Sequence, residues 1–161
     1  MTMKKTELMQ ALTEARQQLD MALAGLTEAQ LAQPGAVEGW SVKDALTHIT
    51  AWAAELVTGL AKFKRGAKGV KLDFTDAETE AMNSKIYRDN KNRPLDRVLA
   101  DYHGVHKQLL RQVEALSDKV IAGPRPQGEQ PMGEWIAEWV ADHEREHAAH
   151  IAAWRKGVSN G

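Results

Sequence analysis

Trp40-Ser41-Val42-Lys43-Asp44-Ala45-Leu46-Thr47-His48-Ile49-Thr50-Ala51-Trp52 opens a helix and shows which side of it is buried. Ser41 can cap the free amides of the first turn, and Asp44, three residues on, completes a reciprocal box. Behind it run Ala45, Ile49, Trp52, Leu56 and Leu60, a stripe spaced by threes and fours. That period belongs to a helix with one apolar face and not to a strand. The helix is expected to end near Arg65-Gly66, and Trp40 to staple its entry.

The same spacing recurs on both sides. Upstream, Leu8, Leu12, Leu19 and Leu23 form a stripe from about Lys4 that Gly25 breaks. Residues 26–40 read as a connection with one helical turn at Thr27 to Gln30, stopped by Pro34-Gly35. Downstream, Thr75-Asp76 with Glu78 opens a helix that runs to about Asn90. Pro94 suits a first helical position, and Leu95, Leu99, Tyr102, His106, Leu109, Val113 and Leu116 follow it as a stripe. Ser117 to Gln130 reads as loop. A last helix, from near Pro131 to Lys156-Gly157, carries Ile136, Val140, His143, His147, His150 and Trp154 on one line. The expected fold is all-α: a four-helix bundle, its third helix interrupted around Pro94, forming one domain over residues 1–161.

Composition agrees. The 161 residues include 24 Ala and 15 Leu against 10 Val and 5 Ile, a balance that favours helix over sheet. There is no cysteine, which removes disulfide scaffolds, thiolate metal sites and cysteine nucleophiles. The net charge of −1 gives no general attraction to nucleic acid or to anionic lipid, so neither is expected as a partner. The basic run Lys62, Lys64, Arg65, Lys68 and Lys71 lacks aromatic interleaving and any phosphate-loop pattern, and reads as a solvated loop. No apolar block of signal-peptide or membrane-helix length occurs, so a soluble cytoplasmic protein is expected.

The histidines carry the chemistry. His143 and His147 are four residues apart, which places both side chains on one face of a helix, about 6 Å apart along its axis. That is how an H-x-x-x-H pair offers a divalent metal two imidazoles. His48, mid-helix at the edge of an apolar face, is the candidate third ligand. Three neutral imidazoles would leave coordination positions open, as catalytic sites do. His147 and His150, three apart, are an alternative pair. Asp44, four residues before His48, is placed to accept its second ring N–H. Trp52, Tyr102, His106 and His150 are the candidate pocket residues. His143-Glu144-Arg145-Glu146-His147 matches the zinc-protease pattern H-E-x-x-H in form. The third-ligand spacing of that class is absent and an all-helical bundle is the wrong context, so a protease is discounted.

These segments also carry a family likeness. Gly39 to Trp52 resembles the second-helix motif of the DinB-like superfamily, and His143 to His147 followed by Ile151 resembles its last-helix motif. Asn83-Ser84-Lys85-Ile86-Tyr87, Asn90 to Leu95, then Leu99 and His106, resemble the ClbS/DfsB family within it. The likeness runs from about Lys4 to Arg155. It implies a bundle that is often dimeric, with His48, His143 and His147 holding a divalent metal, commonly zinc or nickel. His150 departs from the pattern, since this branch tends to carry an aromatic residue there. The superfamily includes thiol-dependent transferases and isomerases, and the branch includes self-resistance proteins that hydrolyse the cyclopropane of a DNA-alkylating natural product. The expectation is a metal-binding hydrolase or transferase acting on a small electrophile, a detoxification or self-resistance activity. Two other readings stand beside it: a metal-free pocket or cyclopropane hydrolase using a histidine base, and a non-catalytic helical dimerisation module.

Overall fold

A computed structural model describes residues 2–159, and they are helical with short connections. Helix α1 spans Lys5–Leu23, α2 Glu28–Ala32, α3 Val42–Lys64, α4 Asp76–Asn90, α5 Leu95–Glu114, α6 Asp118–Ala122, α7 Met132–Ile136 and α8 His143–Ser159. Between α7 and α8 the chain stays helical through a π-helical stretch, Ala137–Asp142, so the three pieces form one rod. The bundle consists of α1, α3, α5 and this rod. α3 packs along α5, and α1 packs along α8, while α4 lies against α3.

Local signals start the helices where the sequence indicates. Ser41 Oγ accepts from the Asp44 amide at 3.1 Å, and the Asp44 carboxylate accepts from the Ser41 amide at 3.1 Å. Thr27 with Gln30 and Thr75 with Glu78 form the same reciprocal box. Gly25, just past the end of α1, takes φ +81°, a left-handed turn that any side chain would strain. The break expected near Pro94 is present between Asn90 and Leu95, although Pro94 is the cap and not the first helical residue. Ser117 caps the short helix α6 inside a stretch expected to be loop.

Two apolar clusters fill the bundle. One gathers Leu8, Leu12, Leu56, Leu60, Leu109 and Ile136; the other gathers Leu19, Leu46, Ile49, Val98, Tyr102 and Ile151. Between them, Arg16 of α1 meets Glu144 of α8 at 2.6 Å, and the carboxylate is wholly buried. Arg16 also donates to the Tyr102 carbonyl at 2.9 Å and lies over the Tyr102 ring. A charge buried this deeply is tolerable because it is paired and hydrogen-bonded.

The π stretch sets the register of the last rod. Each i→i+5 turn takes up more residues than an α turn. The buried line of Ile136 and Val140 runs on to Glu144 and not to the half-buried His143. His143 is turned toward α3 instead.

Gly59 fixes the loop after α3. A Cβ there would lie 2.5 Å from Leu72 Cδ1, so only glycine lets this loop lie down on the helix. Buried Val70 and Leu72 anchor it, and Phe74 is carried against Trp52, ring centroids 5.2 Å apart. Among the described residues no helix is long and apolar enough to cross a membrane.

Candidate metal centre

His48 comes from the second turn of α3, and His143 and His147 from the first turns of α8. Their rings converge. His48 Nε2 lies 3.0 Å from His143 Nε2, and His147 Nε2 also lies 3.0 Å from it. One ring nitrogen from each residue falls within 4.8 Å of the others. His48 and His147 are each 8% exposed.

A neutral imidazole nitrogen carries one proton or one lone pair. His143 Nε2 therefore has a single hydrogen-bonding function and two neighbours at hydrogen-bond distance. The three nitrogens cannot all be satisfied among themselves, whereas a divalent cation can accept a lone pair from each. Ligands held at about 2.1 Å from one ion at right angles stand about 3 Å apart, close to the two separations from His143 Nε2. Imidazole nitrogen is a good donor for zinc and nickel. The donor set fits a divalent metal.

The protonation states fit as well. Burial first, then the neighbouring rings of His143 and His147, pushes the pKa of His48 down to about 3. Burial first, then His143, brings His147 down to about 4. Burial also lowers His143. All three are neutral at pH 7, the form that offers a lone pair.

A cleft of about 580 Å³ opens beside His48 and His143. Trp52, Phe74, Trp135 and Trp139 line it, with centroids of neighbouring rings 5.2 to 6.3 Å apart. The indoles are tethered: Trp52 donates to Asn83 Oδ1 at 2.7 Å, and Trp139 to the Trp52 carbonyl at 3.0 Å. A larger groove, about 800 Å³, runs between α1 and α8, but none of the three histidines lines it. Chemistry, not volume, singles out the cleft.

The other expected site residues scatter. Trp52 lines the cleft beside His48. Asp44 does not reach the second nitrogen of His48. Its carboxylate is held by the Ser41 amide, and His48 Nδ1 is buried without a partner, as is His147 Nδ1. Tyr102 lies away from the cleft, donating to Asp20 Oδ1 at 2.8 Å. His106 faces that same cluster, where burial, then Arg16, lowers its pKa to about 4. His150 is exposed, its ring 6.2 Å from that of His147 and outside the converging group. Glu144, the glutamate of the protease-like pattern, is committed to Arg16 on the opposite side of the rod. Trp40, expected as a staple, packs its ring 5.2 Å from His48 and stacks on Tyr87.

Sequence reasoning missed the cleft walls on the last rod. Trp135, Trp139, His143 and His147 recur every four residues. That line was the available signal, one step round the helix from the line chosen.

A family model of the DinB superfamily matches residues 11–151. The chain belongs to the DinB superfamily. No curated protein matches it in sequence. Among solved structures, colibactin self-resistance protein ClbS, crystallised in complex with a dsDNA, superposes with a TM-score of 0.83 at 18% identity, covering 95% of this chain and 96% of the other. DfsB, described as a sibling lethal factor precursor, gives 0.78 at 17%, covering 98% of both chains. A protein from Streptococcus pneumoniae gives 0.81 at 11%, covering 97% and 92%. At 17–18% identity the likeness to ClbS and DfsB shows a shared fold. The ClbS complex also corrects one expectation. ClbS, which shares this fold, was crystallised in complex with a dsDNA, so the expectation that nucleic acid is excluded as a partner does not stand.

Proposed function

We propose that this DinB protein is a metal-dependent hydrolase or transferase that acts on a small electrophile. The supporting observation is the convergence of three neutral imidazole nitrogens, 3.0 Å apart in succession, at the edge of an aromatic-walled cleft. His48, His143 and His147 would hold the ion. A bound divalent metal with open positions lowers the pKa of a water or thiol toward neutrality and so supplies a nucleophile. The chain's own part is to shape the approach. Trp52, Phe74 and Trp139 exclude water from one side and offer flat apolar surface to a small molecule. Glu144 stays locked to Arg16, which holds the first turn of α8, and thereby His143 and His147, against α1. Tyr102 and His106 stand outside the cleft and take no part.

The test is metal content of protein purified without a histidine tag. One zinc or nickel per chain, lost in His143→Ala, is expected. Metal-free protein whose melting temperature does not respond to either ion overturns the proposal, and activity that survives exhaustive chelation assigns the chemistry to a metal-free pocket.

Duplex DNA is a second reading, favoured by a different observation. Lys62, Lys64, Arg65 and Lys68 are all exposed around the end of α3. Binding of a labelled duplex that weakens in K64E/R65E and with added salt supports it. Equal binding by the variant removes it.

A further inference from the structure

The cleft beside the histidines is charged on one side only. Its charged lining residues besides the histidines are Asp73, Glu138, Asp142 and Glu146; the nearest cations, Lys71 and Arg125, lie over the rings of Phe74 and Trp135 and leave Trp52 and Trp139 uncovered. Asp73 is paired with Arg125 at 2.6 Å and Asp142 with Arg145 at 3.2 Å. Among the described residues no cation lies within ion-pair distance of Glu138 or Glu146. The arrangement follows from helix geometry. Trp135, Trp139, His143 and His147 form one line along the last rod. Glu138, Asp142 and Glu146 form a second line, with the same period of four, beside it.

Aromatic faces and carboxylates together recognise organic cations. The negative face of an aromatic ring attracts a cation that has shed water, and unpaired carboxylates add a field of the same sign. Benzene-sized apolar bodies fit against the indoles, and anions are repelled.

We infer that the cleft selects a small organic cation with an apolar body, which Glu138 and Glu146 draw in and the indoles of Trp52 and Trp139 hold. This rests on the cleft being the ligand site of the proposed enzyme. It also means that a DNA phosphate does not enter here, and that any duplex docks elsewhere on the surface.

Three aromatic probes of similar size test it: benzyltrimethylammonium, benzyl alcohol and benzenesulfonate. None of them is a strong metal ligand. Binding is read from quenching of tryptophan fluorescence, since Trp52, Trp135 and Trp139 all line the cleft, in chelated protein and after zinc addition. The expected order in chelated protein is ammonium at least fivefold tighter than alcohol, with sulfonate weakest. E138Q/E146Q is expected to erase the preference while still binding one zinc per chain by calorimetry, though more weakly than the wild type. Sulfonate binding as tightly as ammonium, an unchanged preference in the variant, or no probe binding at all overturns the inference. Zinc binding without cation preference leaves the metal centre standing and sinks only the inference. Cation preference without zinc binding does the reverse.

Discussion

Acidifying the metal-free protein from pH 7 to pH 5 is expected to remove about 4 kcal/mol of folding stability through His48 and His147 alone. In the unfolded chain each imidazole has a pKa near 6.5. Burial brings His48 to about 3 and His147 to about 4 in the fold. Both shifts are downward, so the unfolded state binds more protons everywhere below about pH 6.5, and stability falls as pH falls. Over these two pH units each residue contributes about 2 kcal/mol, set against a typical total of 5–15 kcal/mol for a domain. His143 and His106 are lowered too and add in the same sense. Glu144, raised by burial against the opposing pull of Arg16, acts in the other sense, nearer the carboxylate range. The decline ends once pH passes below the folded values. Urea unfolding followed by circular dichroism at pH 7, 6 and 5, in chelator, measures it. H48Q/H147Q should lose about half of the pH dependence, with His106 and His143 carrying the rest. A wild-type stability that is flat from pH 7 to 5, or a double variant with an unchanged slope, refutes the reasoning.

Three further outcomes are expected. Arg16→Met leaves the buried Glu144 carboxylate alone and should cost about 3–5 kcal/mol, with R16M/E144L recovering more than half by thermal denaturation. Gly59→Ala should lower stability by about 1–2 kcal/mol, because its Cβ would sit 2.5 Å from Leu72 Cδ1; an unchanged melting temperature would show that Leu72 simply swings aside. Zinc calorimetry should separate the C-terminal histidines: His150→Ala keeps the affinity within about threefold, as an exposed ring outside the converging group should, while His143→Ala loses at least a hundredfold.

The bundle was legible because its information is local. Ser41 with Asp44, Gly25, and the stripes of α1, α3 and α5 each act within a few residues, and all of them fall where expected. His143 and His147 were legible for the same reason, as a pair on one face. What periodicity reports is which face of a helix is buried, not which neighbour that face meets. Tyr102 and His106 keep the stripe of α5 yet turn toward Arg16 and Asp20, away from the cleft. Asp44 had two possible partners, and the capping amide one residue outside the helix won over a side chain one turn along. The pairing of Arg16 with Glu144 joins positions 128 apart in the chain, and nothing near either residue announces it. The π stretch had no side-chain signature at all, since any helix-forming sequence can supply it.

That widened stretch has a bearing on how such a protein can change. Glu138, Trp139 and Asp142 line the cleft from within Ala137–Asp142, His143 and His147 lie just beyond, and Ala137, Val140 and Ala141 of the same stretch are buried in the core against α1. A helix absorbs one surplus residue in such a bulge without turning the segments on either side. Loss of one residue here, with the bulge closing to α-helix, would therefore change the cleft wall and leave His48, His143 and His147 converging as before. Laboratory selection for a new ligand has its shortest route at Glu138, Trp139 and Asp142, the three of these six positions that line the cleft.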